Sequence, residues 1–195
     1  MVRIAAQAAY LIAIAGLVAL VAIGLFFAGI PAFGPVNDLA LLVMTLALAP
    51  VMLAFYELGG RTPIGLARLA LTSGIAAVVG WSVLQALMIG GAVSFDFERG
   101  ATGAFAAEAI ALLVMGMWLA GANLLAGAWL LPLARWLGVV AGIGFILFGL
   151  GLLVGGVSHP LTYAGGIGYQ ILFPIWGLVL GRLLTAIGER RALAA

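Results

Sequence analysis

The chain has 195 residues, of which 66% are hydrophobic and 7% are charged, and its mean hydropathy is +1.33. Soluble domains carry about 25% charged residues, so this composition excludes a soluble protein and predicts an integral membrane protein. The net charge is only +2, and the arginines are scattered rather than clustered, which excludes nucleic-acid binding. Because cysteine is absent and His159 is the single histidine, disulfides, thiol catalysis and a bis-histidine haem are excluded as well.

The apolar runs predict six transmembrane helices in one bundle. Lipid cannot satisfy backbone polar groups, and continuous rather than alternating apolar runs favour helices over a barrel. With about 20 apolar residues needed per span, the runs place spans at about 8–30, 38–58, 66–93, 104–131, 133–157 and 161–184. The first run is too long for a signal peptide and is predicted to be a retained span. We therefore predict an all-α fold, with residues 1–195 forming a single transmembrane domain.

Proline, glycine and polar residues mark the turns between these spans. Pro31 and Pro35 interrupt the chain after the first span, and Asn37-Asp38 offers an N-cap for the second. Seven of the eight arginines fall on one side of the membrane if both termini are cytoplasmic, which leaves only Arg99 outside. This distribution follows the positive-inside rule and predicts a multi-pass protein of the bacterial cytoplasmic (inner) membrane with both ends in the cytoplasm.

An internal repeat is suggested by two similar stretches. Residues 40–44, Ala-Leu-Leu-Val-Met, recur at 111–115, and an acidic residue precedes each copy, Asp38 in the first and Glu108 in the second. Residues 38–93 and 108–157 therefore form a predicted parallel repeat of two helices each. Chance is the alternative, because alanine and leucine dominate the composition.

The repeat points to one candidate substrate-binding site. Pro50 and Gly121 occupy matched positions, and helix-breaking residues at matched places of two repeats indicate binding sites in transporters. Asn123 follows Gly121 closely and offers a polar ligand. The alternative is structural, since proline kinks and close-packing glycines are ordinary features of membrane helices.

Glu108 and Gln85 are the candidates in the outer half of the membrane. Ionisable residues inside a membrane are costly and usually functional, and Glu108 is flanked on both sides by apolar or small residues. It is either an interfacial residue or, if its span begins earlier, a proton-binding carboxylate. Gln85 is expected at a similar depth, where it serves either a solute or helix packing.

Small and aromatic residues are assigned mainly to packing. Glycines recur at four-residue spacing in three pairs, which permits close helix approach within the chain or between subunits: Gly138/Gly142, Gly151/Gly155 and Gly177/Gly181. Trp129 and Trp136 are predicted to belong to an interfacial aromatic belt. The tryptophans near mid-span contact either core side chains or a bound quinone or pigment.

One stretch resembles a known group of proteins. Residues 132–142, Pro-Leu-Ala-Arg-Trp-Leu-Gly-Val-Val-Ala-Gly, followed by a late Ile175-Trp176-Gly177, are similar to a family of uncharacterised bacterial six-helix membrane proteins of unknown function. The resemblance covers mainly spans four to six. It implies the same six-span architecture and implies no catalytic residue.

Two functions are compatible with these features. The first is a structural or accessory subunit of a larger membrane complex, respiratory or photosynthetic, which binds lipid, quinone or pigment on apolar faces and contacts other membrane subunits. The second is a small-solute transporter or channel, with a site formed by Pro50, Gln85, Glu108, Gly121 and Asn123. An enzyme is not predicted because a nucleophile with an adjacent base is not evident. No metal site or tightly bound cofactor is predicted either.

Overall fold

A computed structural model describes residues 1–59, 63–93 and 103–194. Every regular element within these ranges is helical: α1 Val2–Phe27, α2 Phe33–Leu58, α3 Ile64–Ile89, α4 Ala104–Leu125, a 3₁₀ turn Gly127–Trp129, α5 Pro132–Gly155, a 3₁₀ turn Gly156–Ser158, α6 Pro160–Gly166, a π-helical turn Ile167–Leu172, and α7 Phe173–Leu193. The last three elements follow one another without a break and make a single span.

The described residues contain six helices that are long and apolar enough to cross a membrane. The predicted all-α, multi-pass transmembrane bundle is therefore confirmed. Val2 packs beside Gly188, so the two ends of the chain lie at one face of the bundle. We call this the terminal face. Its cytoplasmic orientation stays a prediction.

Several helix boundaries differ from the predicted ones. The prediction that Asn37-Asp38 caps α2 is wrong, because α2 begins at Phe33 and both residues lie inside it. Pro35 fits there because the first turn of a helix has no backbone partner for an N–H group. The predicted fourth span is too long by six residues, since α4 ends at Leu125 and Gly127 adopts a φ of +71°. Leu131 is extended because it precedes Pro132.

The six spans form a closed ring in chain order. Each span packs against the preceding one, and α7 returns to pack along α1. Short connections favour this arrangement, since sequential antiparallel helices are natural neighbours. The ring places α2, α3, α4 and the sixth span around a common axis, and the candidate site lies on that axis.

Glycines set the closest helix contacts within the ring. A Cβ at Gly142 would lie 2.7 Å from the Gly116 carbonyl oxygen on α4, and one at Gly177 would lie 2.8 Å from the Ala9 carbonyl oxygen on α1. The remaining members of the predicted pairs also face neighbouring elements of the same chain. Small residues allow backbones to approach this closely in lipid, so packing within the chain is confirmed for all three pairs.

Aromatic side chains fill the axis of the ring. Trp176 of α7 is fully buried, stacks on Phe173 with ring centroids 5.5 Å apart, and contacts Phe55 of α2 at 6.2 Å. Trp81 of α3 and Phe145 of α5 continue this core, with centroids 6.5 Å apart. The mid-span tryptophans are therefore core residues.

The predicted aromatic belt is only half correct. Trp136 is exposed on α5, where an interfacial ring is expected. Trp129 instead turns inward from the 3₁₀ turn and packs edge-on against Phe55, with centroids 5.0 Å apart. The early end of α4 explains the difference, because it places Trp129 in the 3₁₀ turn Gly127–Trp129 rather than in the helix.

Candidate functional site

Glu108 lies inside the bundle near the face opposite the termini. It is the fifth residue of α4, so it lies about 6 Å along the helix from Ala104. Its Oε1 accepts hydrogen bonds from Trp81 Nε1 at 3.2 Å and from Gln85 Nε2 at 3.5 Å. Trp81 and Gln85 are one turn apart on α3, so the i, i+4 spacing directs both donors at one carboxylate.

A second acid lies at the same end of the bundle as Glu108. Asp38 is the sixth residue of α2, which begins at the face opposite the termini, as α4 does. The neighbouring Asn37 is buried and directs its Nδ2 at Asp38 Oδ1, 3.4 Å away. Both residues lie within the second span because α2 begins at Phe33. The acids that precede the two proposed repeats thus lie at the same end of the bundle.

Tyr169 completes the site from the sixth span. It is carried by the π-helical turn Ile167–Leu172 and is 2% exposed. Its ring lies 5.8 Å from that of Trp81 and 4.7 Å from that of Phe145, measured between centroids. π-helical turns inside α-helices occur frequently at functional sites.

We define the carboxylate cluster as Asn37, Asp38, Trp81, Ser82, Gln85, Glu108 and Tyr169, where Ser82 is the buried residue of α3 that follows Trp81. Six buried side-chain atoms of the described residues lack a hydrogen-bond partner, and four of them belong to this cluster. They are Asn37 Oδ1, Ser82 Oγ, Gln85 Oε1 and the Tyr169 hydroxyl. Buried polar atoms are nearly always satisfied, and unsatisfied ones require an explanation. Asn37 contacts Asp38 and Gln85 contacts Glu108, so two of these unpartnered oxygens belong to side chains that touch an acid.

The two acids of the cluster have no cationic partner among the described residues. Within residues 1–59, 63–93 and 103–194, the hydrogen-bond partners of Glu108 and Asp38 are neutral amide and indole groups. Acidic residues inside a membrane normally pair with a cation or mark an ion or proton path. Arg99, Asp96 and Glu98, which the sequence places in the adjoining loop, lie outside the described residues, as does Arg61, one of the seven arginines predicted on the cytoplasmic side.

The structure brings only two of the predicted site residues together. Gln85 and Glu108 are in contact in the carboxylate cluster. Asn123 lies further toward the terminal face, is 0% exposed, donates to the Leu119 carbonyl at 2.7 Å, and accepts from Trp176 Nε1 at 3.0 Å. Its amide oxygen thus joins α4 to α7, and Gly138 packs directly against the side chain.

Pro50 and Gly121 lie in helices that continue without interruption. α2 is helical through Pro50, and α4 is helical through Gly121. The interruption in helical geometry lies instead in the sixth span, at the π-helical turn. Gly121 faces open space, because a Cβ added there would meet nothing within 4 Å.

Gly121 lines an apolar groove, which we call the α3 groove. It has a volume of about 600 Å³ and lies between α2, α3 and α4 toward the terminal face, lined by Met52, Phe55, Tyr56, Glu57, Ile64, Ala67, Ala70, Leu71, Trp118, Gly121, Ala122 and Leu125 among others. The buried residues of α3 all lie between Gly74 and Gln85. The first half of α3 therefore contributes no buried residue to the bundle, and the groove lies beside it.

Sequence reasoning missed several members of the cluster. Asn37 was interpreted as a cap, the mid-span tryptophans as core residues or contacts of a quinone or pigment, and Tyr169 was not among the candidate residues. One signal was present: in the repeat alignment, Asn37 occupies the position of Glu108. The π-helical turn has no comparable signature in the sequence.

No protein-family model, curated protein or solved structure matches this chain. The similarity of residues 132–142 to uncharacterised six-helix membrane proteins stays a prediction, and the functional argument rests on the geometry alone.

Proposed function

We propose that the protein is a small-solute transporter that binds its substrate at the carboxylate cluster. The observation that supports this is the half-buried Glu108 carboxylate, which Trp81 and Gln85 of α3 contact, together with buried unpartnered oxygen atoms on α2, α3 and the sixth span. Two acids with neutral neighbours favour a positively charged species, either a proton or a small cation. We further propose the bacterial cytoplasmic membrane as its location, with both termini inside, on the basis of the arginine distribution.

The packed axis favours a transporter over an open channel. Phe55 and Trp176 meet across the ring, and Phe173 connects Trp176 to Phe145, on the terminal side of the cluster. A solute bound at Glu108 would have to pass these rings to reach the terminal face. Passage therefore requires a rearrangement of spans, and the π-helical turn beside Tyr169 is the element whose geometry can change most readily.

The test is the flux of the purified protein in liposomes. Uptake of protons, followed by a trapped pH-sensitive dye, and uptake of radiolabelled Na⁺ and methylammonium are measured against empty liposomes. For whichever species moves, Glu108→Gln is expected to lower the rate about tenfold or more, because it removes the charge and keeps the shape. Glu189→Gln, which alters an exposed acid on α7, is the matched control.

Two results would contradict the proposal. The first is a rate for Glu108→Gln equal to that of the control, with equal amounts of folded protein. The second is the absence of flux for every species tested, in liposomes where the protein is shown to be folded and oriented.

The α3 groove favours a second candidate, an accessory subunit of a larger membrane complex. The groove is apolar, opens beside the exposed first half of α3, and has the volume of a small-molecule pocket. A lipid chain, a quinone or pigment tail, or a helix of another subunit would bury the surface that α3 leaves open. We propose that such a partner, if the protein is a subunit, contacts this groove.

Gly121→Leu tests this candidate because it fills the groove without a steric clash. The added side chain meets nothing within 4 Å at its Cβ, so the fold is expected to stay intact. Binding of lipid, quinone or other polypeptides that co-purify in mild detergent is expected to fall several-fold. The control is Gly24→Leu on α1, which also adds a side chain into open space. Equal co-purification with both variants would contradict a role for the groove.

A further inference from the structure

We propose that the carboxylate cluster is a binding site for a hard metal cation, coordinated by oxygen atoms from four spans. This inference rests on the site of the proposed transport function and names the class of its substrate. The four spans are α2, α3, α4 and the sixth, and each contributes at least one candidate ligand. Those ligands are Asn37 Oδ1, Asp38, Ser82 Oγ, Gln85 Oε1, Glu108 and the Tyr169 hydroxyl.

The orientation of two amides is the first argument. Gln85 directs its NH₂ group at Glu108, and Asn37 directs its NH₂ group at Asp38. Each amide therefore donates to a carboxylate through its NH₂ group, and its oxygen has no hydrogen-bond partner. Gln85 is 1% exposed and Asn37 is 6% exposed, so bulk water does not satisfy these oxygens. Each of these two amide oxygens therefore requires a hydrogen-bond donor or a cation as its partner.

The chemistry of the ligand set is the second argument. All candidate ligands are carboxylate, amide or hydroxyl oxygens, which suit hard cations such as Na⁺ and Ca²⁺ rather than transition metals. Among the described residues, no group of three or more His, Asp or Glu side chains could hold a metal ion. Neutral oxygens must therefore complete the coordination of a cation held by the two acids, and the unpartnered atoms are neutral oxygens.

The packing around the carboxylates is the third argument. Trp81, Phe145 and Tyr169 close the cluster on the axial side. A single ion fits between side chains that already approach one another, whereas an organic cation needs a preformed cavity.

Thermal unfolding of the purified full-length protein tests the inference. The melting temperature is measured in detergent during titration with NaCl and with CaCl₂, with choline chloride balancing ionic strength. A ligand that binds the native state raises the melting temperature as its concentration rises. We expect a saturable rise with Na⁺ or Ca²⁺ that choline does not produce, and we expect Glu108→Gln to abolish it.

Tyr169→Phe separates a ligand from a merely unsatisfied group. Removing a buried hydroxyl that has no partner should leave the stability of the cation-free protein unchanged or higher. If the hydroxyl is a ligand, the apparent cation affinity falls about tenfold. Glu189→Gln again serves as the control, because that residue is exposed on α7.

The results distinguish this inference from the transport proposal. A cation-specific rise that depends on Glu108 and Tyr169, without any flux, supports the cation site and contradicts transport. Flux without a cation-specific rise in melting temperature overturns the cation site. A rise that is as large in Glu108→Gln and in Tyr169→Phe as in the unaltered protein also overturns it. Proton uptake that requires Glu108 while Na⁺ and Ca²⁺ have no effect also overturns it and assigns the cluster to a proton.

Discussion

Replacing Gly144 by alanine is expected to lower the free energy of unfolding by about 3 kcal/mol. Gly144 of α5 faces the sixth span, where an added Cβ would lie 2.9 Å from the carbonyl carbon of Gly168 and 3.0 Å from the carbonyl oxygen of Gly165. These atoms belong to the backbone and cannot move aside as a flexible side chain would. α5 and the sixth span must therefore move apart, which lengthens the contacts between them.

The effect is measured by reversible unfolding in mixed micelles, with Gly166→Ala as the matched control. Gly166 is on the same span and also within a helix, but a Cβ there meets nothing within 4 Å. In this control, the helix propensity of alanine should stabilise the protein slightly. Equal stability of the two variants would show that the contact between α5 and the sixth span is not as close as described. A loss confined to Gly144→Ala would identify this contact as a principal support of the π-helical turn.

The number and type of spans were predictable because they depend on composition and length. Residues that must avoid water over about 30 Å form runs that can be counted. The close-packing glycines were predictable for a related reason, since spacing alone puts Gly138 and Gly142 on one face. These features require no knowledge of which helices are neighbours.

Boundaries near proline and glycine were less predictable. Pro35 was interpreted as a helix breaker, but in the first turn a proline costs nothing, so α2 begins earlier. This shift moved Asn37 and Asp38 from the predicted N-cap to the second turn of α2, where they become part of the site. Conversely, the apolar residues after Leu125 did not extend α4, because the positive φ of Gly127 outweighed hydropathy.

The candidate site was partly predictable, since an ionisable residue within an apolar run can be identified from the sequence alone. Glu108 and Gln85 were identified by their depth, but their partners were not. Trp81 lies on the same helix face as Gln85, and only the ring arrangement shows that this face meets α4. Tyr169 reaches the cluster from a π-helical turn, whose extra residue changes the direction of every side chain after it. Tertiary contacts of this kind are not encoded in local pattern.

Asn123→Ala is expected to lower the free energy of unfolding by about 3 kcal/mol and to leave transport per folded molecule unchanged. The substitution leaves the fully buried Trp176 Nε1 without its acceptor, which costs about 1–3 kcal/mol. It also opens a cavity where the amide packs against Gly138, which adds about 1 kcal/mol or more. Unfolding in mixed micelles measures the loss, and liposome flux normalised to folded protein measures the activity.

A double-mutant cycle with Trp176→Phe isolates the hydrogen bond between these residues. Phenylalanine removes the N–H group, so the penalty for an unpartnered donor disappears when both substitutions are combined. Interhelical hydrogen bonds in membranes average about 0.6 kcal/mol and reach about 1.7 kcal/mol. A coupling energy in this range, together with unchanged flux, would assign Asn123 to holding α4 against α7. A flux that falls in Asn123→Ala as far as in Glu108→Gln would instead return Asn123 to the solute path. Transport would then have to engage the aromatic axis itself, since Trp176 joins Asn123 to Phe173 and thereby to the rings beside the carboxylate cluster.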